Sequence, residues 1–204
     1  MKPLLDAAAD TNVDCAPEAA PHVPGEPGLW ILLFGDLVIF TVLFVVYLSR
    51  RAEDPELFAS SQDHLNRTFG VVNTLILLTS SLLIVLATKA LRDDRLRTLA
   101  TPLTVGGALI GACFVVVKVF EYQQKFAAGI GPSTNEFFMY YFVLTGLHLA
   151  HVIIGLAMLA VLARLASKPD PTPMRIGFFE GGACFWHLVD LLWIIIFPLV
   201  FLVR

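Results

Sequence analysis

Five long apolar runs separated by short hydrophilic connections set the layout of this chain. They lie approximately at Gly28–Leu48, Phe69–Leu91, Pro102–Phe120, Phe137–Leu165 and Phe178–Val203. Each is about 20 residues or more, and a helix rising about 1.5 Å per residue crosses a hydrocarbon core of roughly 30 Å at that length. The connections leave no room for a sizeable soluble domain. The pattern predicts an all-α fold, a polytopic membrane bundle of five transmembrane helices over residues 28–204. Residues 1–27 read as an acidic, Ala- and Pro-rich flexible tail, carrying Asp6, Asp10, Asp14, Glu18 and Glu26. They lack a charged segment followed by an apolar one, so they do not read as a signal peptide.

Polar residues that interrupt the runs are the informative ones, because hydrocarbon solvates them poorly and they normally face protein, headgroups or water. In the first run Asp36 follows Gly35, with Asp36, Leu43 and Tyr47 close to one stripe. The second places Gly70, Asn73, Leu77 and Ser80 on one face, a pattern suited to helix-to-helix packing. The third has Gly107 and Gly111, a spacing that lets helices approach closely. Lys118 and Glu121 follow at i,i+3, able to pair locally; near a boundary both could snorkel towards headgroups, or Glu121-Tyr122 could anchor an interfacial contact. The fourth contains His148 and His151, about 60° apart on a helical wheel and so on one face with Tyr141, Leu144, Thr145 and Gly155 nearby. In the fifth, Glu180, Cys184, His187 and Leu191 share a face with Asp190 beside it. Trp186 and Trp193 stand two turns apart, able to brace protein or lipid, and Pro198 is expected to loosen the last turns.

Composition agrees with the membrane reading: 57% of residues are hydrophobic and 15% charged, with a mean hydropathy of +0.76. The net charge of −3 is confined to loops and tail. Lysines and arginines near the span ends divide eight (Lys2, Lys89, Arg92, Arg95, Arg97, Arg164, Lys168, Arg175) against five (Arg50, Arg51, Arg67, Lys125, Arg204). The basic excess predicts a cytoplasmic N-terminus and an outside C-terminus. Cys15, Cys113 and Cys184 show no CxxC spacing, which argues against a disulfide framework.

Three histidines and several carboxylates inside the spans raise a metal or haem site. The segments are His-x-x-His and His-x-x-Asp, not the Glu-x-x-His repeat of carboxylate–metal bundles; axial haem ligation by histidines on facing helices remains an alternative. Chains of Asp, Glu and His also occur in proton relays, but the internal repeats and broken helices of a transporter are absent. No phosphate-binding glycine loop, nucleophile elbow or zincin motif is present.

Ordered motifs from about Pro27 to the C-terminus resemble subunit III of haem-copper cytochrome c and quinol oxidases. They are Leu33-Phe34-Gly35-Asp36-Leu37-Val38-Ile39-Phe40, Asn73-Thr74 with Ser80-Ser81, Phe120-Glu121-Tyr122, and Phe138 with Thr145-Gly146-Leu147-His148-Leu149-Ala150-His151-Val152-Ile153-Ile154-Gly155. The last is Phe179-Glu180 with Phe185-Trp186-His187-Leu188-Val189-Asp190-Leu191-Leu192-Trp193. The Gly35-Asp36 form, where oxidase members usually carry a buried Glu, is similar to the short five-span branch that accompanies bacterial nitric oxide reductases.

The resemblance implies a non-catalytic subunit of a haem-copper respiratory complex in the bacterial plasma membrane. It implies no cofactor in this chain, haem with copper or iron in a subunit I-type catalytic partner, bound phospholipid, and no nucleic acid. On this reading the chain supports electron transfer to oxygen and proton uptake by its partner. Asp36, Glu121, Glu180 and Asp190 are the expected proton-handling or buried polar residues. Asn73, His148, His151, Trp186, His187 and Trp193 are the expected lipid or partner contacts. An accessory or assembly protein of nitric oxide reductase, and an independent haem-binding cytochrome, are the alternative functions.

Overall fold

A computed structural model describes residues 27–93, 95–168 and 172–203; the expected acidic tail and Cys15 lie outside the described residues, apart from Pro27 at its end. Among the described residues six α-helices follow one another: α1 Pro27–Glu53, α2 Pro55–Gln62, α3 Arg67–Arg92, α4 Ala100–Ala127, α5 Glu136–Ala166 and α6 Pro173–Phe197. A 3-10 turn, Arg97–Leu99, leads into α4, and Pro198–Leu202 continues α6 as a π turn. Pro198 lacks the N–H that a regular helix would use, which accounts for the widened last turn. No strand occurs among the described residues. All helices except the eight-residue α2 are long and apolar enough to cross a membrane.

Local chemistry sets most helix starts. The Asp54 carboxylate accepts from Leu57 N with Pro55 opening α2, Asn66 accepts from Thr68 N at α3, and Asn135 accepts from Phe138 N at α5. Thr172 caps α6, again followed by a proline, Pro173. These side chains satisfy amides that the first helical turn leaves without partners. Between α4 and α5 the chain reverses through Gly129, whose φ of 74° suits a residue without Cβ.

Packing places α3, α4, α5 and α6 in a closed ring in which each helix touches its two neighbours, with α1 outside against α5 and α6. The surface-lying α2 rests on α5 and α1. Successive crossings alternate, so α2, the 128–135 turn and the π turn share one face. The Arg97–Leu99 turn and the C-terminal end of α5 share the other, the 93–99 face. On α1 the inward residues are Leu33, Phe40 and Tyr47, seven apart, while Ile31, Phe34, Val38 and Val45 are left outward for acyl chains. Association of helices in lipid depends on close packing, because burial from hydrocarbon provides no hydrophobic gain. Trp186 shows how that packing is achieved. A Cβ on Gly111 of α4 would lie 2.7 Å from its indole, and one on Gly155 of α5 would lie 2.6 Å away. Two glycines therefore admit one tryptophan to the bundle axis.

Candidate functional site

Polar side chains from the four ring helices meet in a layer around Trp193. Lys118 on α4 has no exposed surface, and its ammonium donates to Glu121 Oε2 at 2.8 Å. The Tyr141 hydroxyl of α5 donates to the other carboxylate oxygen at 2.6 Å. Lys118 Nζ also stands 4.6 Å from the Trp193 ring centroid and 5.3 Å from that of Phe201, a cation–π arrangement that partly replaces the lost hydration. Trp193 Nε1 donates to Thr74 Oγ1 at 3.0 Å, tying α6 to α3. One turn along α5, Thr145 donates to the Tyr141 carbonyl at 2.6 Å and receives the Tyr122 hydroxyl at 2.7 Å.

The expected snorkelling of Lys118 is thus overturned, although its pairing with Glu121 is present. The ring of helices is wide enough at this depth to enclose the whole side chain between α4 and α6. Asn73 and His148 have no exposed surface, and Trp186 and Trp193 almost none. These four, expected as lipid or partner contacts, are enclosed by protein instead. His148 packs against Phe114 and Trp193 at 5.5 and 5.3 Å between ring centroids.

His151, three residues on, turns away from that layer to the seam with α1. It contacts Phe40 at 5.4 Å between centroids, and its Nε2 lies 3.5 Å from Asp36 Oδ1. His151 Nδ1 bonds the Leu147 carbonyl at 2.8 Å, so it must carry a proton and Nε2 faces Asp36. The two histidines therefore serve different neighbours despite their spacing.

Towards the 93–99 face, α3 and α6 enclose a mainly apolar groove of about 300 Å³ lined by Val85, Thr88, Lys89, Arg92, Cys184 and His187, among others. Arg92 Nε donates to Glu180 Oε1 at 2.7 Å at its mouth. Deeper, His187 Nδ1 and Ser81 Oγ share a hydrogen bond of 2.6 Å. Glu180, Cys184 and His187 share the face that the helical wheel assigned them, Asp190 is buried, and Leu191 is exposed instead. Towards the α2 face, a polar cavity of about 250 Å³ is lined by His64, Asn66, Phe69, Glu121, Gln124 and Lys125, among others. Lys125 Nζ donates there to the His64 carbonyl.

No group of three or more His, Cys, Asp or Glu side chains is gathered as a metal site among the described residues. Sequence reasoning missed the Tyr141–Glu121 and Arg92–Glu180 links. Glutamate three residues after a lysine inside an apolar run was the signal available for the first.

A profile of the cytochrome c oxidase subunit III family matches residues 26–203. Cytochrome bo(3) ubiquinol oxidase subunit 3 of Pseudomonas putida is 31% identical over 178 residues, covering 86% of this chain and 84% of that protein. Cytochrome c oxidase subunit 3 of Alkalihalophilus pseudofirmus is 29% identical over 179 residues, with the same coverage of both. A protein of Aeropyrum pernix named heme-copper oxidase subunit I+III is 29% identical over 86% of this chain, which corresponds to 22% of its own length. The motifs, the five spans and these matches over nearly all of the described residues agree: the chain belongs to the cytochrome c oxidase subunit III family.

Proposed function

We propose that this chain is a non-catalytic subunit of a haem-copper respiratory oxidase, seated against a subunit I-type partner that holds haem and copper. The family match across residues 26–203 carries this reading. The fused subunit I+III name of the Aeropyrum pernix relative supports the choice of partner. The site geometry supports a structural part: Lys118, Glu121, Tyr141, Arg92 and Glu180 bind helix to helix. In this reading the N-terminus faces the cytoplasm of a bacterium, following the basic excess at the 93–99 face. A phospholipid occupies the groove between α3 and α6, its acyl chain against Val85, Ala183 and Cys184 and its phosphate near Lys89.

Extraction in mild detergent with an affinity tag on this chain tests the proposal. A copurifying haem protein that consumes oxygen is the expected result. A haem protein that reduces nitric oxide and not oxygen would move the chain to the reductase complex. Haem absorbance that stays with the isolated chain and is lost in His148→Ala or His187→Ala would overturn the non-catalytic reading.

A further inference from the structure

The layer around Trp193 contains more hydrogen-bonding capacity than its protein partners use. The Lys118 ammonium has three donor hydrogens, and Glu121 takes one. Both side-chain polar atoms of Asn73 and both ring nitrogens of His148 are buried without a protein partner. These groups are neighbours. Lys118 and His148 both contact Trp193, at 4.6 and 5.3 Å from its ring centroid. Asn73 shares the buried face of α3 with Gly70, which lies against Phe201, the ring whose centroid is 5.3 Å from Lys118 Nζ. The layer thus offers donors (Lys118, the Asn73 amide) and acceptors (Asn73 Oδ1, an imidazole nitrogen), which direct contact does not join.

Glu121, which holds Lys118 on one side, lines the 250 Å³ polar cavity on the α2 face with Gln124 and His64. That volume has room for several waters, and water is bound where two or more polar groups converge. In the other direction α5 turns apolar beyond His148, continuing as Val152, Gly155 and Leu159, and Trp186 fills the space between Gly111 and Gly155, with its own indole Nε1 buried without a protein partner.

We infer that ordered water extends from the α2-face cavity past Glu121 to Lys118, Asn73 and His148, and stops there. The chain would then contain a one-sided water inlet, reaching mid-membrane polar groups from a single face. This inference rests on the orphaned polar atoms and the cavity, and stands apart from the family assignment.

Radiolytic hydroxyl-radical footprinting of the full chain in nanodiscs reads it directly, because radicals formed from bound water oxidise adjacent side chains. After correction for intrinsic reactivity, Trp193 and Phe114 should be oxidised within about tenfold of an exposed aromatic at a helix end such as Phe126, while the equally buried Phe179 stays protected. Protection of Trp193 and Phe114 equal to that of Phe179 overturns the inference. Lys118→Met should lower Trp193 oxidation to the Phe179 level; undiminished oxidation overturns the part given to the ammonium. Should that variant fail to fold, the unmodified chain still decides. The direction is read with Asn73→Cys in a chain whose Cys15, Cys113 and Cys184 are serine, using a membrane-impermeant methanethiosulfonate on oriented vesicles. Modification from the α2 face alone is expected; modification from the opposite face, or from neither, refutes the one-sided inlet.

Discussion

Removing one member of the Lys118–Glu121 pair should cost more than removing both. The two groups meet at 2.8 Å with side-chain exposures of 0% and 2%. Each single change therefore leaves the other charge in a poorly solvating interior. Breaking a buried pair this way typically costs about 3–5 kcal/mol. Glu121→Gln leaves the ammonium with a neutral amide oxygen and aromatic rings, and Lys118→Met leaves the carboxylate with the Tyr141 hydroxyl as its donor. Water in the layer would solvate the survivor in part, which places each single variant near 3 kcal/mol, the lower end of that range. In the double variant both charges are gone and volume is nearly kept. Replacing a buried pair by well-packed neutral groups is often close to neutral, so the double variant should lose no more than about 2 kcal/mol, against roughly 6 for the sum of the singles. Reversible unfolding in mixed dodecylmaltoside and dodecyl sulfate micelles, followed by tryptophan fluorescence, gives the cycle. A double variant destabilised by the sum of the singles, within about 0.5 kcal/mol, would refute coupling and with it the account of this pair.

Two further substitutions test the packing and the α1 seam. Gly155→Ala should lower stability by about 1–3 kcal/mol, because Trp186 meets Gly111 as well and has no room to retreat. Gly35→Ala, with nothing within 4 Å of its added methyl, should stay within about 0.5 kcal/mol; equal melting temperatures for the two would contradict the clamp. At the seam, Asp36→Asn keeps a polar group of the same size, whose amide N–H can donate to His151 Nε2, and should leave α1 docked. Asp36→Leu removes that bond and should cost about 1 kcal/mol, the usual scale of a polar link between membrane helices. A thermal shift the same for both would show that the Asp36–His151 contact holds nothing.

The spans were legible because hydrocarbon thickness imposes a length and backbone hydrogen bonding imposes the helix. The packing face of α3 was legible too, since Gly70, Asn73, Leu77 and Ser80 are all buried as their spacing indicated. What escaped depends on neighbours that spacing does not specify. Lys118 looked like a boundary residue because α4 was expected to end near Phe120, whereas it runs on to Ala127 and carries Lys118 further into the bundle. The short α2 left only Asp54-Pro55 as a trace. His148 and His151 differ by about 60° of helix, which suffices to move a side chain from the bundle axis to the α1 seam. Arg92 and Glu180 are 88 residues apart, and their meeting follows from the closure of α3 on α6.

That closure also explains why so many ionisable groups are tolerated inside one small bundle. α6 touches α1, α3 and α5 and supplies Glu180, Trp186, His187 and Trp193 to four different contacts. Its apolar core segment is 56% buried, compared with 11% for that of α1. In lipid, tight packing and polar links have to supply the cohesion that hydrophobic burial supplies in water. The polar residues are accordingly concentrated within the ring of α3 to α6, where Glu121 joins α4 to α5 and Glu180 and Trp193 join α6 to α3, and α1, held chiefly by Leu33, Phe40, Tyr47 and the Asp36–His151 contact, has few. Polar content thus sets the four ring helices apart from α1, which packs outside them, as expected for a scaffold subunit whose reactive chemistry belongs to its partner. If those residues served chemistry in this chain instead, removing both charges of the Lys118–Glu121 pair would spare stability and still abolish turnover of the intact complex.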